Sequence, residues 1–130
     1  MSTPERTLPV VVIADDEPDV LRLLLSRLRR RGYDVIAATD GHQALYAVRA
    51  HRPAAVVLDY VMPGLQGTEV CAMLRADLDT AHIPVLMLTS RSDETAVAAA
   101  FEHGADEYLT KPFDFDELDV VLRALIDRSC

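Results

Sequence analysis

The run Val56-Val57-Leu58 is unbroken apolar sequence that ends abruptly in Asp59 and passes within a few residues into Pro63-Gly64. Apolar residues without alternation suit a strand covered on both faces, the setting of a parallel sheet. A strand of that kind delivers its last side chain to the crevice beyond its carboxyl end, where open α/β sheets bind ligands. Taken alone, Asp59 reads as a turn-forming acid at a strand end. The remainder of the chain decides between punctuation and chemistry.

Five apolar runs alternate with amphipathic stretches, and they predict strands near residues 8–14, 35–38, 54–58, 83–88 and 107–109. After the first run, Val20, Leu21, Leu24, Leu25 and Leu28 recur at helical spacing. Pro18 suits the first turn of that helix, Asp16 or Glu17 its cap, and Gly32 its left-handed stop. A second helix is expected over about 41–50, with Ala44, Leu45 and Val48 inward. A third follows Gly67 with Val70, Cys71 and Leu74, and a fourth spans about 95–102 before Gly104. The fifth starts near Asp114 and aligns Leu118, Leu122, Leu125 and Ile126 on one stripe. Repeated strand-helix alternation means βαβ units, hence a parallel sheet with helices on both faces. One domain over residues 1–130 is expected, since that length buries a single core and no repeat or low-complexity segment divides it.

The formal charge of −8 argues against a general nucleic-acid binder, because phosphate contacts need local positive charge. Cys71 and Cys130 have neither metal-ligand spacing nor the density of a disulfide framework, which suits a reducing compartment. No apolar stretch has the length of a membrane span and no signal-peptide pattern opens the chain, so a soluble, cytoplasmic chain is expected.

The segments after four of the five strands share one edge of such a sheet. They hold Asp15-Asp16-Glu17, Asp59, Thr89-Ser90 and Lys111-Pro112. Each has an ordinary explanation by itself: a capped helix, a strand residue, a turn. Together they bring several carboxylates, a hydroxyl and one ammonium to a single crevice. Carboxylates held close raise one another's pKa unless a cation sits among them. Hard oxygen donors with open positions suit Mg²⁺, which favours one or two carboxylates plus a phosphate. Phosphoryl transfer asks mainly for in-line positioning and neutralised oxygens. A carboxylate left free to attack then yields an aspartyl phosphate.

Four stretches carry a family likeness: Val12-Ile13-Ala14-Asp15-Asp16-Glu17-Pro18, Leu58-Asp59-Tyr60-Val61-Met62-Pro63-Gly64, Leu88-Thr89-Ser90 and the run from Gly104 to Phe113. Over essentially its whole length the sequence resembles the receiver domain of two-component response regulators. That resemblance implies a flavodoxin-like, doubly wound five-stranded sheet of order 2-1-3-4-5 with five helices. It implies Asp59 as phosphoacceptor, Asp16 as a direct Mg²⁺ ligand, Asp15 as one acting partly through water, and the Val61 backbone carbonyl as a further ligand. Lys111, before a cis bond to Pro112, would pair with a phosphoryl oxygen and Thr89 would hydrogen-bond the group. Tyr108 would swing inward behind it, reshaping the face made by the fourth helix, fifth strand and fifth helix. The implied partners are a histidine kinase or histidine phosphotransfer protein at the first helix, where Arg22, Arg27, Arg29, Arg30 and Arg31 lie, and a downstream protein or output domain at the switch face. Direct nucleic-acid or membrane contact is not expected of the chain.

Several positions depart from the family pattern. Gln66 stands where an acid is common, and Val61 and Arg91 occupy positions that tune phosphoryl lifetime. Val97 and Val121 stand where receivers joined to winged-helix domains carry basic residues that latch a symmetric dimer, although Asp106 and Glu117 remain. Half a set of ion pairs makes that dimer doubtful. An enzyme acting on outside substrates through an aspartyl nucleophile commonly carries a further acid two residues on, where Val61 stands. A scaffold-only receiver would have lost an acid or Lys111, and none is lost. The expected activity is self-catalysed phosphorylation and slow dephosphorylation rather than turnover of another substrate.

Overall fold

A computed structural model describes residues 8–129, and Cys130 lies outside the described residues. Five strands alternate with five helices: β1 Val10–Ala14, α1 Pro18–Arg30, β2 Asp34–Ala38, α2 Gly41–His51 and β3 Ala55–Leu58, followed by α3 Gly67–Ala76, β4 Val85–Thr89, α4 Glu94–Glu102, β5 Glu107–Thr110 and α5 Phe115–Arg128. All pairings are parallel, as the strand-helix alternation predicts, in the order β2-β1-β3-β4-β5 that the family resemblance implied.

Alternate residues of the central strands feed opposite layers. Val12, Val56, Leu58, Val85 and Met87 pack with the inner faces of α2, α3 and α4. Val11, Ile13, Val57, Leu86 and Leu88 pack beneath α1 and α5 with Leu24, Leu28, Leu118 and Leu122. Both sets are fully enclosed, which is why β3 and β4 read as continuous apolar runs rather than alternating ones. Cys71 sits in the first layer, where burial pushes its thiol up to about 11, so it serves as a small core hydrophobe.

The helix ends follow local chemistry. Asp40 caps α2 by accepting the Gln43 amide, and Asp93 caps α4 by accepting that of Ala96. The Gln66 amide donates to Glu69 Oε1 at 3.1 Å, the return bond of a capping box at the start of α3. Gly32 and Gly104 take positive φ beyond α1 and α4, as their positions predict. Arg52 takes the left-handed position after α2, with φ 45. One boundary differs from the sequence reading. β4 begins at Val85 rather than Ile83, because the Ile83 amide closes the preceding turn onto Thr80 and Pro84 has no N–H to give the sheet.

Candidate functional site

Strand register builds the site. β1 and β3 pair Ala14 with Leu58, so the residues that follow, Asp15 and Asp59, leave the sheet side by side. The pairing continues one step further, since the Asp59 amide donates to the Ala14 carbonyl at 3.0 Å. β4 and β5 pair Thr89 with Thr110, and the Lys111 amide then donates to the Thr89 carbonyl at 2.9 Å. Four residues expected at one crevice from their chain positions therefore lie at one sheet edge.

Lys111 is the centre of the cluster. Its Nζ donates to Asp15 Oδ2 at 2.7 Å, to Asp59 Oδ2 at 3.1 Å and to Glu17 Oε1 at 3.3 Å. Asp15 and Asp59 are buried, at 2% and 6% exposure, whereas Glu17 is open to solvent. The second oxygen of Asp15 accepts the Glu17 amide at 2.9 Å, and Asp59 Oδ1 accepts the Val61 amide at 3.3 Å. The Lys111–Pro112 peptide is cis, as the resemblance implied.

One ammonium does not neutralise three carboxylates. Burial raises the Asp15 carboxyl above its ordinary value, and the bond from Lys111 only partly offsets this. Burial alone would lower Lys111, yet its bonds to Asp15 and Asp59 outweigh that and hold it charged. Asp15, Glu17 and Asp59 present carboxylate oxygens within 4.8 Å of one another, a hard-oxygen donor set with uncompensated negative charge. Such a set fits Mg²⁺ rather than a soft metal.

Some expected members stand differently. The Asp16 carboxylate is exposed and outside that close group, and Glu17 stands inside it. Sequence reasoning gave the cap to Asp16 or Glu17 and set the whole acidic run at the crevice; as N-cap of α1, Glu17 makes no side-chain cap bond, which leaves its carboxylate free to reach Lys111. Only its third place in the Asp15-Asp16-Glu17 run signalled this. Thr89 is buried, and its hydroxyl oxygen accepts the Arg91 amide at 3.3 Å. The half-buried Tyr108 donates its hydroxyl to the Arg91 carbonyl at 2.6 Å. The Val61 side chain is 51% exposed at the rim. Gly67 closes the floor: its amide donates to the Tyr60 carbonyl at 2.9 Å, and an added Cβ would overlap the Asp59 carbonyl.

The site and fold find their match in known proteins. The family model of the response regulator receiver domain covers residues 11–123. The chain belongs to the response regulator receiver family. Among curated relatives of this receiver, the DNA-binding response regulator MtrA of Mycolicibacterium smegmatis is 41% identical over 119 residues, covering 92% of this chain and 51% of that protein. The chain thus spans about half the length of the curated relatives it matches. Among solved structures, the Francisella response regulator 1452 receiver domain superposes with a TM-score of 0.86 at 30% identity, over 94% of this chain and 99% of that one. The receiver domain of the sensor histidine kinase PA1611 from Pseudomonas aeruginosa PAO1 gives 0.87 at 26% identity, over 93% of this receiver and 99% of that chain, and is described with a magnesium ion coordinated in its active site cleft. Members of the family are phosphorylated by histidine kinases in two-component signalling, and receiver domains bind Mg²⁺ at an acidic site. Because MtrA is named for DNA binding, the expectation of no nucleic-acid contact does not extend to a longer protein containing this receiver. Among the described residues no helix is long and apolar enough to cross a membrane.

Proposed function

We propose that residues 1–130 form one receiver domain that takes a phosphoryl group from a histidine kinase or histidine phosphotransfer protein onto Asp59 and signals while the group remains. The observation that carries this reading is the buried Asp59 carboxylate, bonded to Lys111 at 3.1 Å beside a second buried acid. One Asp59 carboxylate oxygen attacks phosphorus, a P–O bond forms, and the P–N bond to the donor imidazole breaks. Lys111 moves from carboxylate to phosphoryl oxygen, and the Thr89 hydroxyl donates to another. Asp15 and Asp59, with Glu17 from the same close group and with Asp16 and the Val61 carbonyl as the family resemblance implies, would hold Mg²⁺, which would supply charge neutralisation for the transferring group. Water later attacks the phosphorus, restoring Asp59 and releasing inorganic phosphate.

The new charge favours a state in which Thr89 turns to the phosphoryl group and Tyr108 follows inward, altering the α4, β5 and α5 face where an output domain or downstream protein binds. Near-complete switching between two states needs a bias of about 5.5 kcal/mol, and partial switching needs less. The kinase or phosphotransfer protein meets α1, which carries the exposed Arg22, Arg27, Arg29 and Arg30 and is followed by the exposed Arg31. Contact with DNA, where a longer regulator makes it, belongs to a part outside this receiver. The family's place in intracellular signalling supports a cytoplasmic location.

Incubation with a small phosphodonor, with Mg²⁺ or with excess chelator, followed by intact mass measurement tests the reading. One phosphoryl group is expected with Mg²⁺ and little or none with chelator. No gain in mass with Mg²⁺ would overturn it.

A further inference from the structure

Arg91 makes four contacts that reach four different parts of the switch region. Its amide donates to the Thr89 hydroxyl oxygen at 3.3 Å, and its carbonyl accepts the Tyr108 hydroxyl at 2.6 Å. Its guanidinium lies 4.7 Å from the ring centroid of Tyr60, the chain neighbour of Asp59. The same guanidinium forms a fork to Asp93, with Nε to Oδ1 at 3.3 Å and Nη2 to Oδ2 at 3.1 Å. Asp93 is the N-cap of α4, and its Oδ2 accepts the Ala96 amide at 3.1 Å.

An exposed ion pair two residues apart carries little weight by itself. This pair differs because one planar group stacks on Tyr60 and forks to the cap at once, a combination open to arginine and not to lysine. The Arg91 and Ala96 bonds hold the Asp93 carboxyl below its ordinary value, so the cap stays ionised. Tyr60 is only 7% exposed, and the guanidinium lies across its ring, so a shift of this aromatic moves a group already bonded to the start of α4.

We propose that Arg91 is a positioning residue that ties the state of the Asp59 site to the first turn of α4, its guanidinium bridging the Tyr60 ring and the Asp93 cap. The inference rests on the reading of Asp59 as phosphoacceptor. When Thr89 turns toward a phosphoryl group, the Arg91 amide loses its acceptor and the segment from Thr89 to Asp93 shifts. The stack and the fork convey that shift to the Asp93 cap, and hence to the Ala96 amide.

The test is hydrogen exchange at the start of α4, read by mass spectrometry with and without beryllofluoride plus Mg²⁺. Fluorine NMR reads occupancy of the site separately. In the wild type, the mimic changes exchange over residues 93–97. In Arg91→Ala the site still fills, but the change shrinks about two- to fivefold, the weight of one exposed cation–π contact. Tyr60→Leu behaves like Arg91→Ala, and Tyr60→Phe restores the wild-type response because it keeps the ring. A role confined to stability would shift exchange equally with and without the mimic and would leave the difference intact. An undiminished response in Arg91→Ala or in Tyr60→Leu overturns the proposal, as does an occupied wild type with no response. Loss of mimic binding in Arg91→Ala alone also overturns it, by placing Arg91 in the site itself. A wild type that binds no mimic removes the phosphoacceptor reading, and the coupling with it.

Discussion

Gly67 stands where α3 meets the strand end that carries Asp59, and no side chain fits there. A Cβ at this position would overlap the Asp59 carbonyl and press on the Met87 methyl. Gly67→Ala is expected to lower stability by about 1–3 kcal/mol, the usual cost of overpacking, read as a reduced urea midpoint with unchanged slope. Phosphoryl uptake is expected to slow as well, since the displaced group is the backbone of the proposed nucleophile. The sequence showed this glycine as the start of a helix, but its close approach to Asp59 depends on a tertiary contact that spacing does not encode. Glu17 teaches the same lesson. Residue type marked it as a cap, and it does hold the N-cap position, but its carboxylate reaches Lys111, already bonded to Asp15 and Asp59, instead of a helix amide. Asp15, Asp59, Thr89 and Lys111 were legible because each ends or directly follows a strand, and a parallel sheet sends all such residues to one edge.

Arg75 shows how α3 is fastened to the elements around it. Its guanidinium donates to the Gly104 carbonyl at 2.8 and 3.0 Å, to the Ile83 carbonyl at 2.6 Å and to Asp106 at 2.8 Å. One side chain therefore joins α3, the turn before β4 and the turn before β5. Arg75→Ala is expected to cost about 1–3 kcal/mol by leaving partly buried acceptors without donors. Arg75→Lys is expected to recover less than half of the loss in chemical denaturation, because one compact ammonium cannot span the separated acceptors that three guanidinium nitrogens reach. Full recovery by lysine would contradict the fork geometry. Nothing in the periodicity of α3 announces this role: a basic residue in a last helical turn already has a sufficient explanation in the helix dipole. Element existence and order were readable from apolar spacing. Ends such as the left-handed Arg52 and the late start of β4 were not, because they depend on which amides neighbouring turns have already taken.

At the scale of the molecule, two apolar layers enclose the sheet and leave function to its carboxyl edge. Asp106, one of the two acids left at the positions of a charge-latched dimer, is engaged within the chain by Arg75 and by the Val85 amide, each at 2.8 Å. Val97 and Val121, at the positions of the missing cations, are half-buried. Sedimentation with beryllofluoride and Mg²⁺ is therefore expected to show no new salt-sensitive dimer, and a strong mimic-induced dimer on α4 and α5 would contradict this. The central claim concerns a single atom group, the Asp59 carboxylate. Reduction of the phosphorylated protein with borohydride converts an acyl phosphate to an alcohol, so peptide mapping marks the modified residue as homoserine. Homoserine at position 59 and at no other acid is the expected result. Homoserine at Asp15 or Asp16, or hydroxynorvaline at Glu17, with position 59 intact, would contradict it.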